Sequence, residues 1–344
     1  MLTLLVPLTT SCNDEWTEEQ YEHYVSFRSP LNNQGVTEIY VPYTRKNNDD
    51  GNSYSGRSSY KLPVIISGSL TNDMNYDIHF AADPDTLETI NIARYQQRKD
   101  LWYTDLSQEG IKHVRIPESL SIPAGQDVGL LEIGFDFRGI DMADKWVLPI
   151  TIVDNPEYGY QSHPRKNYAK AILRVYPYNN YSGIFSATLM NCYLASENPD
   201  PILAEQEEIA NGAMVANESK GYVVDDKSIF FYAGIIDEDR TDRKNYKIYC
   251  TFNGETSGSV SFRCDNPKVE FKSMKEASFR ISEEMDATRP YLKRRYLIIN
   301  NIDYYFSDYT SLPGTPIRYH VKGSLSLLRT INTQVPDEDQ AIEW

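Results

Sequence analysis

Short segments of alternating or continuous apolar residues, separated by turn-forming spacers, recur along almost the whole of this chain. Examples are Thr37-Glu38-Ile39-Tyr40-Val41, Tyr76-Asp77-Ile78-His79-Phe80, Val128-Gly129-Leu130-Leu131-Glu132-Ile133 and Trp146-Val147-Leu148-Pro149-Ile150-Thr151-Ile152. A period of two sends every second side chain to the same face of a sheet, so runs of this kind predict strands packed face to face. Composition agrees, since 26 Tyr, 12 Phe and 4 Trp are spread along the 344 residues and aromatic side chains favour strands. The expectation is an all-β protein.

A length of 344 residues fits two domains. Residues 13–24 are polar and acidic and read as a tether. Residues 25–177 read as a first β-sandwich, closed by a strand at 171–176, with Pro177-Tyr178-Asn179-Asn180 as the junction. Residues 178–344 read as a second β domain, with separate strands expected at 296–299 and 304–306 and a hairpin whose turn lies between Gly254 and Gly258. The one helix expected runs over 201–210, where Ala, Leu, Glu and Gln cluster before Gly212. The polar stretch from 45 to 59 reads as a long hairpin loop. It resembles a calcium loop only superficially, because Lys46 occupies the first ligand position.

Residues 1–12 read as a lipoprotein signal. Leu4-Leu5-Val6-Pro7-Leu8 is a short apolar run, Ser11 is a small residue before the cut, and Cys12 offers the thiol for acylation. Thr9 stands where Leu is usual, and no Lys or Arg precedes the run. The run is too short to span a bilayer, which takes about 20 residues of helix. Cys12 would become the first residue of the mature protein.

With Cys12 acylated, three thiols remain, Cys192, Cys250 and Cys264, which permits at most one internal disulfide. Strand alternation turns Cys250 and Cys264 to one inward face, so buried free thiols are the reading. A net charge of −15 and the lack of a basic cluster argue against nucleic acid as a partner. No zinc-ligand spacing, nucleophile elbow, phosphate loop or dinucleotide fingerprint is present, so no cofactor, metal or catalytic residue is expected. Asp237-Glu238-Asp239 and Asp337-Glu338-Asp339 read as solvated loops, and His320 as a hydrogen-bonded structural residue in a strand.

Sugar binding demands less than catalysis. A pyranose packs its C–H face on an aromatic ring while its hydroxyls pair with polar side chains at the rim. Candidates are the loop aromatics Trp102 and Tyr103, Tyr158 and Tyr160, and the cluster Tyr304, Tyr305 and Tyr309, in which Tyr304 and Tyr305 must face opposite sides of a strand. Trp16 and Trp344 are ambiguous.

Leu120-Ser121-Ile122-Pro123-Ala124-Gly125 and Trp146-Val147-Leu148-Pro149-Ile150-Thr151-Ile152 resemble the turn and strand of a family of immunoglobulin-like domains in Bacteroides-type surface lipoproteins. Tyr181-Ser182-Gly183-Ile184-Phe185, Phe230-Phe231-Tyr232-Ala233-Gly234 and Ile317-Arg318-Tyr319-His320-Val321-Lys322-Gly323 resemble its companion, a lipocalin-like β-barrel. Both families have long been described as of unknown function. The resemblance implies a non-catalytic outer-membrane lipoprotein facing the cell exterior, encoded in a polysaccharide-utilisation locus. Its implied partners are an oligo- or polysaccharide and a SusC/SusD-like importer. The alternative is a structural or adhesive surface protein that binds protein partners and has no sugar site.

Overall fold

The computed structural model describes residues 21–46, 51–108, 112–336 and 341–344. Cys12 and the expected signal segment, residues 13–20 of the expected tether with Trp16, residues 47–50 and residues 337–339 lie outside them. The chain is almost all β, with 48% of residues in strands and 12% in helices.

The first half is an immunoglobulin-like sandwich of two sheets. One has five strands in the order Gln161–Ser162, Tyr24–Phe27, Arg57–Ile66, Val128–Asp136 and Val114–Arg115. The other runs Thr37–Pro42, Lys170–Tyr178, Lys145–Ile152, Tyr76–Ala82 and Ser119–Ile122, with Tyr103–Asp105 beside Lys145–Ile152. Alternation fills the space between them. Leu62, Val64, Leu131 and Ile133 from one sheet meet Ile78, Phe80, Leu148 and Ile150 from the other. Each such buried side chain stabilises by roughly 1.5–3 kcal/mol.

The second half is a barrel. Eight strands, Gly183–Ser186, Glu218–Asp225, Ser228–Tyr232, Lys247–Asn253, Ser257–Arg263, Ala277–Met285, Leu292–Asp308 and Ile317–Asn332, form the ring, and the last pairs with the first. Its interior is occupied by Phe185, Phe231, Ile248, Cys250, Phe252, Phe279, Leu297, Tyr304 and Phe306. An eight-stranded ring is just wide enough to be filled in this way, which moves the search for a ligand site to the outside. Cys192, Cys250 and Cys264 are free thiols, and burial pushes Cys192 up to about 12.

Two expectations need correction. A second helix, Pro84–Tyr95, lies beside the sandwich; Asp83 caps it by accepting the Thr86 N–H at 3.3 Å, and Pro84 stands in its first turn. Only Leu87 and Asn91 of this helix are buried, so its apolar periodicity is faint. The segments at 296–299 and 304–306 are one continuous strand, Leu292–Asp308, whose register shifts between Ile299 and Ile302, with Asn301 at a φ of 62°. The expected helix is present as Pro201–Asn211 and stops at Gly212, whose φ of 82° suits a residue without a Cβ. His320 fastens this helix to the barrel wall. Its Nδ1 lies 2.7 Å from Glu208 and its Nε2 2.8 Å from Asp303.

Sandwich and barrel pack directly on each other. Met142 and Ala143 of the sandwich are buried with Phe230 and Tyr232 of the barrel. Around this apolar contact the Thr44 and Ser55 hydroxyls donate to Asp226 at 2.5 and 2.6 Å, and Lys247 pairs with Asp141 at 2.6 Å. Cavities open beside this contact line and also elsewhere on the surface.

Candidate functional site at the domain junction

Parallel pairing of Lys170–Tyr178 with Thr37–Pro42 sets Tyr176 beside Tyr40, and the two rings stack with centroids 5.4 Å apart. Cross-strand aromatic pairs of this kind stabilise a sheet edge. Trp344 stacks on Tyr40 at 4.2 Å, so three rings form a row on the sandwich side. The barrel answers with Lys220 and Tyr222, both outward on the strand Glu218–Asp225. The Lys220 ammonium lies 4.3 Å from the Tyr176 ring centre and 5.3 Å from that of Tyr222. Tyr222 in turn stacks on Phe230 at 5.0 Å.

Beyond Lys220 the surface opens into a cavity of about 340 Å³. Tyr222, Tyr232, Ile184 and Ile235 give it apolar walls, and Glu218, Ser219, Asp237 and Glu238 give it a polar rim. The Tyr222 hydroxyl donates to the Glu238 carboxylate. Burial, and next the Glu238 charge, push that hydroxyl well above its ordinary value. Burial acts to raise the Glu238 carboxyl as well, but the Lys220 charge and the Tyr222 hydroxyl outweigh it and hold Glu238 below its ordinary value. Burial lowers Lys220. Apolar walls with a few converging polar groups at a domain interface are the usual features of a small-ligand site. Such a site can take the C–H face of a ring on its walls and hydroxyls at its rim.

The seven aromatics expected from sequence do not converge. Tyr103 is 3% exposed and packs against Leu87 and Val147, with its hydroxyl donating to Gln34 at 3.3 Å, so it cannot meet a ligand. Tyr160, 6% exposed, is likewise core, and its hydroxyl donates to the Val153 carbonyl at 2.8 Å. Tyr304 is fully enclosed in the barrel. Tyr305 faces outward, yet its ring is stacked on His320 at 3.9 Å and Arg318 sits 4.8 Å over it. Tyr158 is stacked on His79 at 4.0 Å, and Trp102 is half-buried with its indole N–H on the Gln96 carbonyl at 3.2 Å. Tyr309 lines a shallow recess of about 430 Å³ with Tyr249, Asn245 and Asn266, and Tyr160, though mostly enclosed, borders a separate open one of about 680 Å³ beside Tyr24 and Asp154.

Sequence reasoning misses Tyr176, Lys220 and Tyr222 because each sits inside a strand, where an aromatic or a stem of methylenes reads as packing. Asp237-Glu238-Asp239 does lie on the surface, but its carboxylates are engaged. Asp239 pairs with Lys145 of the sandwich at 3.1 Å, and its carbonyl accepts from Arg98 at 3.2 Å.

Residues 16–156 match a family model described as a domain of unknown function (DUF4973), and residues 169–326 match a second model that describes a C-terminal domain. An auxiliary nutrient binding protein from Bacteroides thetaiotaomicron is 50% identical, with a TM-score of 0.82 over 94% of this chain and 100% of that one. A multidomain protein including DUF1735 from Bacteroides ovatus is 44% identical, with a TM-score of 0.77 over 93% of this chain and 100% of that one. A protein of unknown function from Bacteroides ovatus is 34% identical, with a TM-score of 0.74 over 95% and 97% of the two chains. No curated protein matches. Similarity at this level over both domains places the chain in the family of two-domain Bacteroides proteins to which that auxiliary nutrient binding protein belongs.

Proposed function

We propose that the protein is a non-catalytic lipoprotein, acylated at Cys12 and held on the outer face of the outer membrane. In this reading it captures an oligosaccharide at the domain-junction cavity and passes it to a SusC/SusD-like importer. The observation that carries the reading is the lining of that cavity, with Tyr222, Tyr232 and three isoleucines against a rim of carboxylates and Lys220. Apolar walls suit the C–H face of a sugar, and ionised carboxylates are strong acceptors for its hydroxyls. The name of the Bacteroides thetaiotaomicron relative, an auxiliary nutrient binding protein, supports a binding role.

A glycan-array screen of the soluble protein from Asn13 onward tests this. Saturable binding to one glycan class that is lost in Glu238→Ala supports it, and no binding across a broad array overturns it. A protein-binding role is the second reading, favoured by Ile202, Leu203 and Ile209, which project into solvent from the helix Pro201–Asn211.

A further inference from the structure

A second cavity, of about 550 Å³, lies on the five-stranded sheet of the sandwich and shares no lining residue with the junction cavity. We propose that it binds an anionic saccharide through its acidic group, a sugar sulfate or a uronate, independently of the junction site.

Register builds the cavity. Arg57 stands opposite Asp136, Ser59 opposite Gly134, and Arg115 opposite Gly134 from the other side. Gly134 has no side chain, and a Cβ there would meet only Arg115, at 3.8 Å from its Cβ and 3.9 Å from its Nε. The space between Arg57 and Arg115 therefore stays open, with a guanidinium from each side. Arg45, Lys46 and Lys112 add positive charge to the lining.

The two carboxylates in the lining, Glu132 and Asp136, offset only part of its five positive charges. Asp136 is engaged by Arg138, with Arg57 at 3.8 Å, and Glu132 accepts the Ser59 hydroxyl at 2.8 Å. Among the described residues no carboxylate forms an ion pair with Lys112 or Arg115. On a chain with a net charge of −15, such a cluster inverts the local field, and an anion repelled elsewhere is drawn to it.

Other groups at the cavity suit a sugar rather than a bare ion. Tyr54 is 43% exposed, with the Arg57 guanidinium 5.7 Å from its ring centre, so an aromatic face stands next to a bidentate anion donor. His113 donates its Nδ1–H to the Asp136 carbonyl at 2.8 Å, which leaves Nε2 available for a hydroxyl. A volume of about 550 Å³ falls within the roughly 300–1,000 Å³ of ligand pockets and is far more than one inorganic anion fills.

Titration calorimetry on the soluble two-domain protein at low salt tests the proposal with a heparin-derived hexasaccharide, a hexagalacturonate, a neutral maltohexaose and sodium sulfate. The expected result is saturable binding of at least one acidic hexasaccharide but not of maltohexaose. It weakens with added NaCl, falls at least tenfold in Arg115→Ala and in Lys112→Ala, and is unchanged in Glu238→Ala. Either of two results overturns the proposal. One is that neither acidic hexasaccharide binds, or that their binding is indifferent to both cavity substitutions. The other is that sulfate binds as tightly as the hexasaccharides, which would make this an inorganic-anion site. Since Glu238→Ala probes only the junction, failure of either site is read separately from the other.

Discussion

The Lys220 ammonium of the barrel rests 4.3 Å from the centre of the Tyr176 ring of the sandwich. Tyr176 lies on the last strand of the sandwich, so this one contact joins the domains at the edge of the cavity. A cation on an aromatic face contributes about 0.5–2 kcal/mol, more where water is excluded. Lys220→Met keeps the methylene stem and removes the charge. Scanning calorimetry is expected to show a Tm lower by about 2–4 °C, the shift that about 1 kcal/mol produces in a protein of this size class. An unchanged Tm would mean that the contact adds nothing to the joint.

Asp308 sits under the loop that carries Tyr309. It accepts from Arg240 at 2.7 and 3.0 Å and from the Tyr246 hydroxyl at 2.8 Å. Burial acts to raise its carboxyl, but Arg240, Ser311 and Tyr246 together hold it far below the ordinary range. A carboxyl depressed by folding contributes its full stability above its unfolded pKa of about 3.9, and loses it as pH falls through the folded value. Asp308→Asn is therefore expected to cost roughly 3 kcal/mol in urea unfolding at pH 7. The gap to the unsubstituted protein should narrow only below about pH 4; a gap that narrows near pH 6 would contradict the assignment.

His320 is enclosed by two carboxylates, Glu208 from the helix Pro201–Asn211 and Asp303 from the barrel. Removing the ring leaves Glu208 buried without its main partner. His320→Ala is expected to destabilise by about 3 kcal/mol. Hydrogen exchange should rise first in the amides of that helix, and uniform protection there would show that the clip does not hold it.

The thiols test the barrel interior. Cys250 and Cys192 are buried, and burial pushes Cys192 up to about 12, whereas Cys264 is half-buried. In the soluble protein from Asn13 onward, a thiol reagent at pH 8 should label Cys264 slowly and the other two only after denaturant is added. Rapid labelling of Cys250 would contradict a closed interior.

Much of this architecture is legible in the sequence because a strand's period is short and strict. Ile248, Cys250 and Phe252 alternate inward as the pattern predicts, and Tyr304 and Tyr305 do face opposite sides. The same rule cannot say whether an outward ring is free. Tyr305 is outward and already covered by His320, which only tertiary pairing decides. Tyr103 and Tyr160 sit next to polar, loop-like segments and are nevertheless core, because Tyr103 opens a short strand covered by Leu87 of the helix Pro84–Tyr95 and Tyr160 turns its ring into the sandwich core. The junction is the least legible part. Lys220 and Glu238 come together from separate segments of the barrel, and Tyr176 joins them only because the barrel docks on Met142 and Ala143.

The most direct measurement is a titration of the glycan identified by array screening into the unsubstituted protein and into Glu238→Ala, with folding of the variant checked by circular dichroism. A charged rim acceptor is worth about 1.5–3 kcal/mol, so the account predicts an affinity lower by roughly 10- to 100-fold in the variant. Equal affinity in a folded Glu238→Ala protein would contradict capture at the domain junction.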